Sequence, residues 1–164
     1  MGTVVPALLA APACAQEREL LHNLFSESGW EIHLAQTFQE VLTAVREERV
    51  GVLLSESRFS DGRCWKDLLD EIQPLESPPL LIVTDRLADG RPWAEVLNLG
   101  GYDFLLKPFD PEEVFRVASS AWVSWKLSRV MVRRQAAYRQ KGPERKGPRS
   151  WSDVTPQSRY LRVS

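Results

Sequence analysis

Leu99-Gly-Gly-Tyr-Asp-Phe-Leu-Leu-Lys-Pro-Phe-Asp-Pro-Glu-Glu-Val114 reads as a turn, a short buried strand, and a freshly capped helix. Gly100-Gly101 supplies the turn, and Asp103-Phe-Leu-Leu106 is apolar and flanked by breakers, as a core strand should be. Asp110 suits an N-cap, Pro111 suits a first helical position that needs no N–H, and Glu112 and Glu113 favour the positive end of the helix dipole. Lys107 is thereby placed at the carboxyl end of a strand, where open α/β sheets form their ligand crevice.

Upstream of this corner the same alternation repeats. A first buried strand near Val4–Ala10 leads through Cys14 into a helix at about 16–28, with Leu20, Leu21, Leu24 and Phe25 on one face and Gly29 ending it. Glu31-Ile-His-Leu-Ala35 suits an edge strand, and Thr37-Phe-Gln-Glu40 is a capping box opening a helix with Phe38, Val41, Leu42 and Val45 inward. Val50-Gly-Val-Leu-Leu-Ser55 is a third strand. Beyond a turn at Asp61-Gly62, Trp65, Leu68, Leu69 and Ile72 mark a third helix, which stops before Pro74. Leu80-Leu-Ile-Val-Thr84 is continuously hydrophobic, as a strand covered on both faces requires, and a polar loop at 85–91 leads to a helix with Trp93, Val96, Leu97 and Leu99. The last helix carries Val114, Val117, Ala118, Ala121 and Trp125 inward. Five β-α units predict a doubly wound parallel α/β sheet with one core.

The chain has 164 residues, 43% of them hydrophobic, which suits one domain with an appendage. Residues 1–125 hold 10 Lys and Arg against 20 Asp and Glu, a net of −10, whereas residues 126–164 hold 11 against 2, a net of +9. We therefore divide the chain into a domain at 1–125 and a basic extension at 126–164, helical at first and disordered beyond the Gly-Pro pairs at 142–143 and 147–148. Cys14 and Cys64 lack metal-type spacing and suit free thiols in a cytoplasmic protein. The apolar N-terminal run lacks the basic flank of a signal peptide, and no run reaches membrane-spanning length. His22 and His33 belong to no nucleophile or metal motif.

Residues 1–125 resemble the receiver domain of bacterial two-component response regulators. The resemblance rests on Gly-Gly-Tyr-Asp-Phe-Leu-Leu-Lys-Pro-Phe109, on Leu-Ile-Val-Thr84 and on Arg58-Phe-Ser-Asp-Gly62, in that family's order and spacing. It implies a flavodoxin-like (βα)5 fold with strand order 2-1-3-4-5. It also implies transfer of a phosphoryl group from a kinase histidine to an aspartate after the third strand, assisted by Mg²⁺ on an acidic pair after the first.

Onto that pattern Lys107 and Thr84 map as the phosphate-site residues, Phe104 as the switch aromatic, and Pro108 as the candidate cis proline. Glu56 takes the phosphoacceptor position, or Ser55 if the register shifts by one. Pro12 and Ala13 take the positions of the acidic pair, and residues 1–16 contain no carboxylate, so the Mg²⁺ site is expected to be lost and no cofactor is expected. The expectation is a pseudo-receiver rather than an enzyme, in which Glu56 pairs with Lys107 and signalling proceeds by binding a protein such as a histidine kinase or an output protein. Trp93, Trp122 and Trp125 would also permit a homodimer. The alternative is a nucleic-acid-associated protein using residues 126–164. An enzyme on this fold lacks support, because neither a phosphate-binding loop nor a paired catalytic carboxylate motif is present.

Overall fold

The computed structural model describes residues 5–86 and 91–141. Five parallel strands, β1 (Ala7–Ala11), β2 (Glu31–Leu34), β3 (Val52–Glu56), β4 (Leu80–Asp85) and β5 (Asp103–Leu106), form one sheet in the order β2-β1-β3-β4-β5. They alternate with α1 (Ala15–Glu27), α2 (Phe38–Glu47), α3 (Trp65–Ile72), α4 (Arg91–Leu99) and α5 (Pro111–Lys141). This is the expected flavodoxin-like topology. β1 runs from Ala7, the expected start at Val4 lying outside the described residues, and Asp85, read from sequence as loop, is the last residue of β4.

Each strand residue faces one of two cores, because side chains alternate across the sheet. Leu8, Ala10, Val52, Leu54, Ile82 and Leu105 pack against α1 and α5. Leu9, Leu53, Leu81 and Val83 pack against α2, α3 and α4 on the other face. β1 and the Val52–Leu54 part of β3 have helices on both sides and read as unbroken apolar runs, while β2 at the edge keeps Glu31 and Leu34 exposed.

Local signals fix the element boundaries. Thr37 Oγ1 accepts from the Glu40 amide at 3.1 Å, and Glu40 Oε2 accepts from the Gln36 amide at 2.7 Å, which together open α2. Asp110 Oδ1 accepts from the Glu112 amide at 2.9 Å, as expected of the residue opening α5. Gly100 adopts φ +104°, a left-handed conformation that closes α4 and turns the chain into β5. Gly51 serves a different need. A Cβ there would lie 2.5 Å from the Trp122 ring and 2.6 Å from Trp125, so only glycine lets the start of β3 pass beneath that stacked pair.

The chain divides into two compact units, Met1–Val130 and Met131–Ser164. The expected boundary at residue 125 falls inside α5. In the second unit the described residues continue α5, and residues 131–140 are all exposed. The disordered tail expected from residue 142 lies outside the described residues. Among the described residues no helix is long and apolar enough to cross a membrane.

Candidate functional site

The carboxyl ends of β3, β4 and β5 meet at one point, as the parallel sheet requires. In register, Glu56 on β3 lies beside Thr84 on β4, and Thr84 beside Leu105 on β5, two residues before Lys107. The cis peptide between Lys107 and Pro108 marks the chain's departure from β5, at the proline expected to carry it. The backbone N–H of Lys107 donates to the carbonyl of Asp85 at 2.9 Å, tying the two strand ends together.

Lys107 is the centre of the site. Its side chain is only 2% exposed, and its ammonium contacts two carboxylates, Glu56 Oε1 and Glu17 Oε2, the latter at 2.8 Å. Phe109 covers it, with Nζ 5.6 Å from the ring centroid. Thr84 Oγ1, also buried, lies 3.2 Å from Glu56 Oε1 and 3.3 Å from the Ser55 carbonyl. Ser55 is buried and its hydroxyl donates to the Glu56 carbonyl at 3.0 Å, so Glu56 rather than Ser55 presents its side chain to Thr84 and Lys107. Burial pushes the Glu56 carboxyl above its ordinary range. Its contact with Lys107 pulls the other way, Glu17 adds to the upward push, and the Thr84 hydroxyl lowers it slightly.

Glu17 is the participant that sequence reasoning missed. It stands in the first turn of α1, and its Oε2 also accepts from the Ala13 amide at 3.2 Å. Arg86, largely exposed, approaches its other oxygen at 3.7 Å. Residues 1–16 carry no carboxylate, and Glu17 is the first acidic residue after β1. The available signal was an acidic residue four positions after the strand-to-helix turn, where a helical side chain points back toward the N-terminus and can reach the turn's free amides.

Asp85, at the end of β4, is a further acidic neighbour. It accepts from the Ser57 hydroxyl and, at 2.6 Å, from the Arg86 amide. Pro12 is buried and Ala13 exposed, and neither has a side-chain oxygen to offer at the end of β1. Phe104, the expected switch aromatic, is half-buried and packs against the core beneath α2, α3 and α4. Trp122 and Trp125 are buried in the α1–α5 core with Trp30, which accounts for them as packing, whereas Trp93 is 51% exposed and its indole N–H donates to Asp103 at 3.2 Å. Elsewhere among the described residues, Glu31, His33 and Glu48 bring three potential ligand atoms within 4.8 Å of one another at the β2 edge.

The response regulator receiver domain family matches residues 15–119. Solved structures give the same fold. The chemotaxis response regulator CheY4 of Vibrio cholerae is 16% identical with a TM-score of 0.65, over 72% of this chain and 99% of that one. A CheY-like receiver domain protein from Methanospirillum hungatei is 17% identical with a TM-score of 0.68, over 76% and 99%. Full-length FixJ from B. japonicum is 24% identical with a TM-score of 0.67, over 75% of this chain but 60% of its own. No curated protein matches the chain.

Proposed function

The chain belongs to the response regulator receiver family of two-component signalling, and within that family we propose that it acts by binding protein partners, without magnesium-dependent transfer of a phosphoryl group to an aspartate. One observation carries this reading: a buried lysine ammonium already lies between the carboxylates of Glu56 and Glu17. Magnesium demands a near-octahedral set of hard oxygen ligands. At the end of β1 the chain offers proline and alanine, and the carboxylates of Glu17 and Glu56 are each engaged by Lys107. The residues do not fit the ion.

The same arrangement bears on the phosphoryl group. Lys107 and Thr84 are the groups that would hold phosphoryl oxygens, and both instead contact Glu56. A glutamate can carry negative charge without modification and reaches one methylene further than an aspartate, so it can satisfy both without a phosphoryl group. The corner joining β3, β4, β5 and α1 is then held in one arrangement by side chains alone. Partners in the same pathway, such as a kinase or an output protein, would recognise that fixed surface.

Titration with Mg²⁺ and beryllofluoride, followed by tryptophan fluorescence, tests this reading. The expected result is no saturable response, and a response requiring both ligands would overturn it. A second reading draws on residues 126–141, which hold six basic residues and no acidic one. In that reading the chain associates with nucleic acid. Duplex DNA binding that weakens steeply with salt and is abolished by Arg133→Glu with Arg134→Glu would favour it.

A further inference from the structure

The sheet edge at β2 is lined for a partner the site above does not use. Among the described residues β2 pairs with β1 on one side and is the terminal strand on the other, leaving one row of its peptide groups without a neighbouring strand. Beside it, between β2 and α2, runs a groove of about 690 Å³. Its apolar floor includes Leu9, Ala35 and Ala44, and its wall carries Glu40, Glu47 and Glu48 with no Lys or Arg among the described residues. At one end Glu31, His33 and Glu48 converge, with Glu31 Oε1 and His33 Nε2 3.2 Å apart.

We propose that this groove docks a basic, extended segment of a partner protein, added as a strand to the free edge of β2. The charge selects the partner: every ionised side chain in the wall is a carboxylate, inside a domain of net −10 over residues 1–125. Nucleic acid and acidic segments are thereby disfavoured. The edge selects the conformation, because extended backbone can satisfy the outward peptide groups of Glu31–Leu34. At a rise of about 3.3 Å per residue, a segment of roughly four to six residues spans the strand. Alternate side chains then turn toward α2, where Glu47 and Glu48 meet lysine or arginine, and the Glu31/His33/Glu48 end accepts a further cation. This inference rests on the reading that the module works by binding protein, and it names the chemistry of one partner.

The test titrates the isotope-labelled full chain with the peptide acetyl-Lys-Val-Arg-Val-Lys-Val-amide and follows backbone amide NMR shifts. Saturable shifts concentrated on Glu31–Leu34 and on α2 are expected. Affinity should fall at least tenfold for Glu47→Lys with Glu48→Lys, and at least tenfold for a peptide N-methylated at alternate residues. Glu112→Lys with Glu113→Lys, at the far side of the fold on α5, should leave affinity unchanged, and dispersed spectra of all variants establish folding. Several outcomes would overturn the proposal: no binding, shifts spread over the whole acidic domain, equal weakening by the α5 variant, indifference to N-methylation, or shifts at the same residues produced by Zn²⁺ alone. Failure here leaves the absence of phosphoryl transfer standing, since that is read by a different measurement.

Discussion

Lys107 is surrounded so completely that its two carboxylates depend on it as much as it depends on them. Removing one partner of a buried ion pair leaves charge without compensation, at a cost of about 3–5 kcal/mol. Lys107→Met should therefore destabilise the fold by that order in urea unfolding, because it sets Glu17 and Glu56 against each other. Glu17 and Glu56 are less deeply buried, with side chains 12% and 16% exposed, so water can partly replace a lost partner there. Glu17→Gln should accordingly cost less than Lys107→Met. The pH dependence has a defined sign. Glu56 titrates higher in the folded chain than its ordinary 4.5, so the native state holds the extra proton across the window between those values. Its contribution favours folding below that window and is lost as pH rises through it. Measured stability of the natural chain relative to Glu56→Gln should thus decline as pH rises above about 4.5. An unchanged difference from pH 4 to 8 would remove burial as the dominant influence on Glu56. At this scale the sequence was half legible. Thr84, Glu56 and Lys107 could be placed because each lies at the carboxyl end of a strand, whereas Glu17 enters from a helix and only the fold brings it to Lys107, ninety positions away.

The helices and strands were more legible than the site, since their signals are local. Capping at Thr37 and Asp110, the Gly100 turn, and the apolar runs of β3 and β4 each declare themselves within a few residues. Asp85 was misplaced because polarity suggested a loop, yet its backbone still belongs to β4, and the Lys107 amide bonds to its carbonyl. Equally hidden was the demand on Gly51, which comes from tryptophans on α5 more than seventy residues later. Gly51→Ala should destabilise by about 1–3 kcal/mol, because the ring atoms are packed on both sides and cannot recede freely. Thr37→Ala, which removes a cap while leaving packing intact, should cost about 1 kcal/mol. Thermal unfolding of the two variants separates these origins: a Gly51 variant as stable as the natural chain would show that the Trp122 and Trp125 rings can move aside.

The whole molecule is electrostatically divided, with an acidic sheet domain and a C-terminal segment of opposite sign. That division was visible in composition alone, and five β-α units with short connections pointed to a doubly wound parallel sheet, whose strand order was implied by the resemblance to receiver domains. Composition could not show the corner around Lys107, because it depends on three side chains converging from α1, β3 and the end of β5. If the Lys107 ammonium holds the place that metal and phosphoryl chemistry would need, the domain offers one fixed surface to its partners. The most direct measurement is intact mass and phosphate-affinity electrophoresis of the full chain after incubation with Mg²⁺ and acetyl phosphate. An unmodified mass in a folded sample is the predicted result, and a stoichiometric, acid-labile single phosphoryl adduct would contradict it.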